Sequence, residues 1–300
     1  MNQQLAFKRA CEILDWDYVS FDGKADPVIV NEAVLKCVTC GADAITGLII
    51  HPVWASEGLS EAKAAGIPVV SVASWEESNN PGVLASNVDG DTLQKQILAG
   101  YLTGVAAYKL SNGKPHIIAI ASDPSDTIAH NRFLGLQKFV EEAKAAGVDA
   151  DLWYRHVPPA QFGEKSASTA ASLAQAHPSF NVVWGVGDFI AILGGDGLRS
   201  AGLMRDDVIG IGIDGNRETL DLIRQEDFMA ASLGFPWYTA AWAQVDDANR
   251  ILAGEEPIGE EHGYDMRILW KGNLPPEGED KTWDALQFDP EPFYRELWGK

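Results

Sequence analysis

Short apolar runs alternate with longer segments of helical periodicity along nearly the whole chain, in two successive series. Such an alternation is the signature of parallel sheets covered by helices on both faces. The first series opens on a helical pattern, LAFKRACEILDW, followed by the strand-like YVSF. It continues as PVIVNEAVLKCVTC (helix), AITGLIIHP (strand), ASEGLSEAKAAG (helix) and IPVVSVAS (strand). After the turn signal Asn79-Asn80-Pro81-Gly82 and the short strand VLASNV, a long amphipathic helix runs to Asn112-Gly113. The second series then carries strands at PHIIAIAS, DADLWYRHV, FNVVWGV and VIGIGID, with helices between them. The end departs from this rhythm: FMAASLG (strand), FPWYTAAWAQVDDANRILAG (helix), YDMRILWKG (strand) and a Pro- and Trp-rich tail whose aromatics are expected to pack against a lobe.

Two series of similar size predict an α/β protein of two doubly wound, Rossmann-like lobes, and the absence of a flexible linker predicts several chain crossings between them. Residues 1–86 and 235–263 are expected to form one lobe, and residues 87–234 and 264–300 the other. Because the chain begins on a helix, the first sheet is expected to lack a strand beside YVSF and AITGLII.

Composition narrows the partners. A chain of 300 residues with 46% hydrophobic content can fill two cores. Lys and Arg total 23 against 43 Asp and Glu, and a net charge of −20 repels nucleic acid and anionic membranes. The sequence has no run of about 18 apolar residues that would span a bilayer. MNQQLAFKRACEIL has no basic segment, apolar core and small-residue cleavage site, so the chain as given carries no export signal. Three cysteines give no disulfide framework. Cys37-Val-Thr-Cys40 fits C-x-x-C but lies at the end of a helical pattern, where a thiolate gains nothing from the helix dipole, and no further ligands stand at zinc spacing. Structural thiols are expected, with no metal.

The buried run in Asp207 to Asn216, DVIGIGIDGN, ends in Asp214 where a parallel strand gives way to a helix, and ligands bind outside that end in open α/β sheets. Asp214 is therefore the leading ligand-binding candidate, with N-capping of the next helix as the other reading. Gly210 to Gly215 formally fits G-x-G-x-x-G, but its glycines lie inside the apolar run and Asp214 would repel a pyrophosphate. Walker A, H-E-x-x-H and G-x-S-x-G sequences do not occur, so neither an enzyme nor a cofactor is expected.

With VLASNVDGD, the HNRFLGL helix start, WGVGDFIAILG and VIGIGIDG in this order, the chain resembles the type I periplasmic sugar-binding proteins, ribose-binding protein being the nearest type, over residues 1 to 270. The resemblance implies two lobes joined by three crossings near Ser86 to Asp89, Leu233 to Pro236 and Tyr264 to Arg267. It also implies hinge closure on a small sugar or polyol, and delivery by a monomer in the periplasm to the membrane permease of an ABC importer. The alternative is the ligand-sensing part of a sugar-responsive regulator or receptor-coupled sensor. By the same resemblance Asp214 accepts from sugar hydroxyls and Arg132, in the A-x-x-R-x-x-G pattern of Ala129 to Gly135, donates to sugar oxygens. Asp188 matches the aspartate of an N-D step whose asparagine is Gly187 here. His51 falls at a common asparagine, and Phe162 where a ring covers one sugar face. Asn87 and Trp75 complete the expected set of seven, all converging on the cleft between the lobes. The Asp-Arg pair of ribose binders is Ala73 and Ser74 here, so ribose itself is not expected. The family's first strand would precede Met1, which points to a shortened chain. Carboxylates that accept, a guanidinium fork that donates and aromatic faces that stack on C–H surfaces together suit a neutral polyol.

Overall fold

The computed structural model describes residues 2–24, 26–74, 84–88, 92–262, 265–274 and 288–300. In chain order its first elements are α1 (Asn2–Leu14), α2 (Pro27–Thr39), β1 (Ile45–Leu48), α3 (Ser56–Ala64), β2 (Val69–Val72) and β3 (Ser86–Asn87). Then come α4 (Thr92–Leu110), β4 (His116–Ser122), α5 (Thr127–Ala145), β5 (Asp151–Val157), α6 (Phe162–Ala176), β6 (Val182–Gly185) and α7 (Asp188–Ser200). The last are β7 (Ile209–Asp214), α8 (Arg217–Arg224), β8 (Met229–Gly234), α9 (Trp237–Leu252), β9 (Arg267–Trp270) and α10 (Pro290–Leu297). The chain forms two compact units, Met1–Thr92 with Pro236–Asp265 and Asp284–Lys300, and Leu93–Phe235 with Met266–Trp283.

In the first unit β1, β2 and β3 form a parallel sheet in that order. The period-two alternation of side chains decides what each face meets. Val70 and Val72 join Ala6, Ala10, Ile13 and Trp242 in the core beneath α1 and α9, while Ile45 and Val69 join Val30, Val34 and Leu59 in the core beneath α2 and α3. Helix α2 starts where it does because Asp26 Oδ1 accepts from the amides of Val28 and Ile29, at 2.9 and 3.2 Å, with Pro27 at the first position.

Two sequence expectations fail in this unit. YVSF is not a strand: Val19 is 63% and Phe21 41% exposed, so its alternating residues find no sheet face to cover, and only Trp16 and Tyr18 pack on the core. Among the described residues no strand pairs with the open side of β1. The tail was expected in the second lobe, yet residues 288–300 belong to the first unit. Tyr294 and Trp298 stack on Trp242 with ring centroids 5.9 Å away in each case, Trp298 Nε1 donates to Asp246 Oδ1 at 2.8 Å, and Arg9 grips Glu291 with two hydrogen bonds. Aromatic area of this size dominates local packing, and this unit offers it a matching surface.

Asp247, fully buried in α9, holds three remote segments together. It accepts from Ser86 Oγ at 2.5 Å, from the amides of Ile258 and Gly259 at 2.8 and 3.0 Å, and from His262 Nε2 at 3.0 Å. Burial alone would raise this carboxyl, but the bonds from His262 and Ser86 outweigh it and hold Asp247 below the usual carboxylate range.

The second unit carries six strands in the order β5-β4-β6-β7-β8-β9, parallel except for the antiparallel edge strand β9. Its first five strands therefore follow the doubly wound order 2-1-3-4-5, in which the crevice for a ligand opens between the first and third, here β4 and β6. Helices α4 and α5 lie in unusually close approach. A Cβ on Gly100 would overlap the carbonyl oxygen of Arg132, and one on Gly135 that of Ile97. The Gly100→Ala variant must push the two backbones apart, and we expect it to lower stability by about 3 kcal/mol in denaturant unfolding. A stability equal to that of the unsubstituted protein would show that the helices do not need this contact.

Candidate functional site

In the second unit the carboxyl ends of the strands gather around one guanidinium. Arg132 lies in the second turn of α5, begun by Asp126, whose carboxylate accepts from the Ala129 amide at 3.0 Å. Arg132 is only 6% exposed. Its Nε donates to Gln96 Oε1 at 2.7 Å, its Nη1 to the Val186 carbonyl at 2.8 Å, and its Nη2 lies 3.1 Å from Asp214 Oδ1. The guanidinium also lies 5.3 Å from the ring centroid of Phe235. Arginine is thus no surface ion-pair residue here; it ties α4, the end of β6 and the end of β7 to its own helix.

Asp214 closes β7 with a φ of +123°, a backbone state that non-glycine residues rarely adopt. It does not cap the next helix: α8 has Asn216 at its N-cap, with no side-chain cap bond. The turn is held instead by Asp188. Asp188 Oδ2 accepts from the Asn216 amide at 2.8 Å and Oδ1 from Ser232 Oγ at 2.6 Å, while Ser232 Oγ accepts from the Gly215 amide at 3.0 Å. Gly212 makes this possible, because a Cβ there would overlap Asp188 Oδ1. Gly187 leaves room beside Asp214, whose Oδ2 would lie 3.2 Å from a Cβ at that position. Burial, and after it the nearby charge of Asp214, pushes the Asp188 carboxyl up to about 8.

The expected residues therefore divide. Arg132 and Asp214 touch, and Asp188 reaches them by fixing the turn that carries Asp214. Asp188, expected as a ligand contact, is fully buried, with its oxygens engaged by the Asn216 amide and Ser232. Phe162, expected to offer a ring face, is 5% exposed and meets the ring of Phe189 edge-on at 6.2 Å; Phe189, 47% exposed, is the ring open to solvent. In the first unit, His51 and Asn87 lie at the carboxyl ends of β1 and β3. Serines join Asn87 to Ile50, the residue before His51: Ile50 N donates to Ser71 Oγ at 3.3 Å, Ser71 and Ser74 share a bond of 2.5 Å, and Asn87 Nδ2 donates to the Ser74 carbonyl at 2.7 Å. His51 is buried, and its Nδ1 accepts from the Val53 amide at 3.2 Å. Trp75 lies outside the described residues. Gln96, Ser232 and Phe235 carried no motif, and Phe189 lay within WGVGDFIAILG without being singled out. The paired Gly100 and Gly135 were the available hint that α4 reaches Arg132. Burial pushes the thiol of Cys11 up to about 11 and raises that of Cys37.

A family model described as periplasmic binding protein domain matches residues 2–256. The chain belongs to the periplasmic binding protein family. No curated protein matches it in sequence. Among solved structures, an ABC transporter solute binding protein from Mycobacterium smegmatis with bound glycerol has 24% identity and a TM-score of 0.74, with 91% of this chain and 89% of that one covered. A galactofuranose binding protein gives 19% identity and a TM-score of 0.75 over 99% of this chain and 93% of that one. An ABC transporter periplasmic solute binding protein from Actinobacillus succinogenes 130z with bound D-allose gives 17% and 0.72, covering 90% and 92%. The fold is the two-lobed type I fold of periplasmic binding proteins.

Within that fold the raised Asp188 carboxyl makes a pH forecast. Its folded pKa lies above the value of about 3.9 in an unfolded chain. Between the two, the folded protein keeps a proton that the unfolded chain releases. The stability from this group is therefore full below about pH 4 and is lost as pH rises toward about 8. In Asp188→Asn, which copies the neutral form, urea midpoints should depend less on pH between 4 and 8. Parallel pH profiles for the two proteins would refute this reading of Asp188.

Proposed function

We propose that this protein captures a small neutral sugar or polyol and, as an extracytoplasmic monomer, delivers it to the permease of an ABC importer, without chemical turnover. The observation that carries this reading is the pair formed by buried Arg132 and partly exposed Asp214 at the carboxyl end of β7, in a fold whose family members are solute-binding proteins. A carboxylate that accepts and a guanidinium that donates are the groups hydroxyls require. The pair neutralises itself and the chain carries −20, a balance that disfavours an acidic sugar or a phosphate. The open ring of Phe189, two residues beyond Gly187, suits the C–H face of a sugar. Proteins of the same fold have been solved with glycerol, D-allose, allitol and D-fucose. Among the described residues no helix is long and apolar enough to cross a membrane.

A thermal-shift screen of neutral aldoses, ketoses and polyols, followed by titration calorimetry, tests the reading. A true ligand at 100 times its Kd should stabilise by about 2.7 kcal/mol. Asp214→Asn keeps the volume and one acceptor but removes the charge, and should weaken the best ligand by about tenfold. Stabilisation by phosphorylated or acidic sugars alone, or steady consumption of any panel member, would overturn the assignment.

A further inference from the structure

Gln96 lies in the second turn of α4 and is 0% exposed. The close approach of α4 to α5 at Gly100 and Gly135 delivers it to Arg132. Its oxygen accepts from Arg132 Nε at 2.7 Å. Arginine has no lone pair to offer, so this contact dictates which end of the amide faces the guanidinium: oxygen toward it, nitrogen away. Gln96 Nε2 has no hydrogen-bond partner among the described residues. An amide donor withdrawn from water and left unmade loses its full hydration, a penalty that Met or Leu of similar length would avoid. Bracing Arg132 uses the amide oxygen and leaves the nitrogen's donors over.

Nε and Nη2 are adjacent donors of one rigid fork, so Gln96 Oε1 and Asp214 Oδ1 stand side by side against the same guanidinium. The amide that carries the unmet donor is thereby anchored next to the side chain that carries the carboxylate acceptor. We propose that Gln96 is a specificity-determining residue, whose Nε2 donates to a ligand oxygen adjacent to the hydroxyl that donates to Asp214. The two side chains together read a pair of neighbouring oxygens, one as acceptor and one as donor. This rests on the sugar- or polyol-binding reading above and adds the residue that selects among such ligands.

The test uses two variants of the full chain. Gln96→Glu keeps an acceptor for Arg132 Nε and removes the donor; Gln96→Met removes both. Each is titrated with glycerol, D-allose, α-D-tagatopyranose, allitol, D-fucose and further neutral monosaccharides, with the melting temperature of the ligand-free protein recorded alongside. Both variants should bind the best wild-type ligand about tenfold more weakly. Among its monodeoxy analogues, one that binds wild type poorly should bind either variant no worse than the parent sugar does, because the oxygen it lacks has lost its partner. Unchanged affinity in Gln96→Glu, with or without a lower melting temperature, would reduce Gln96 to a brace for Arg132 and overturn the proposal. So would an equal loss for every deoxy analogue. If wild type bound no neutral sugar or polyol, the functional reading itself would fall, and this inference with it.

Discussion

Much of the second unit's organisation depends on a single buried cation. Arg132 is withdrawn from water, and a charge in that position is tolerated only when its donors meet acceptors of good geometry. Gln96, the Val186 carbonyl and Asp214 meet that demand from three different elements. Each also constrains the next. Gln96 arrives because two helix glycines let α4 and α5 touch, Val186 because β6 ends there, and Asp214 because Asp188 pins the turn after β7. Removing Asp214 leaves one donor of a buried charge unmet. A site assembled this way exists before its ligand arrives, so binding does not have to order it.

The alternation of apolar runs and helical patterns was enough to place nearly every element, because a strand buried on both faces and an amphipathic helix leave different periodicities. YVSF misled for a physical reason. Alternation shows that a segment can cover a sheet face, but the presence of a partner strand is a property of the remaining chain, and here Val19 and Phe21 face solvent. The tail's aromatics showed that it would pack, while the surface that receives them, Trp242 flanked by Asp246 and Arg9, is assembled from residues far away in sequence.

At the site, Asp214 was legible because a strand end marks where side chains converge, and Arg132 through the resemblance of Ala129 to Gly135 to a family pattern. Asp188 and Phe162 were legible as neighbours of that place but not in their depth. One is sealed beneath the turn it supports and the other beneath Phe189. Gln96 was hidden altogether, since a glutamine in an amphipathic helix reads as a solvated residue. Only the contact of two helix backbones at glycine turns it inward.

Asp214 carries one more consequence. Its left-handed φ would suit glycine, and a non-glycine residue held there costs on the order of 1–3 kcal/mol. Relaxing the backbone by removing the side chain would also strand Arg132, so the position opposes two kinds of improvement. Sequences drifting toward greater stability can repack helices or shorten loops, but at this residue they meet a carboxylate whose strain and whose purpose cannot be separated. Stabilising redesign of the protein should therefore leave the end of β7 alone and look for its gains around the exposed Val19 and Phe21.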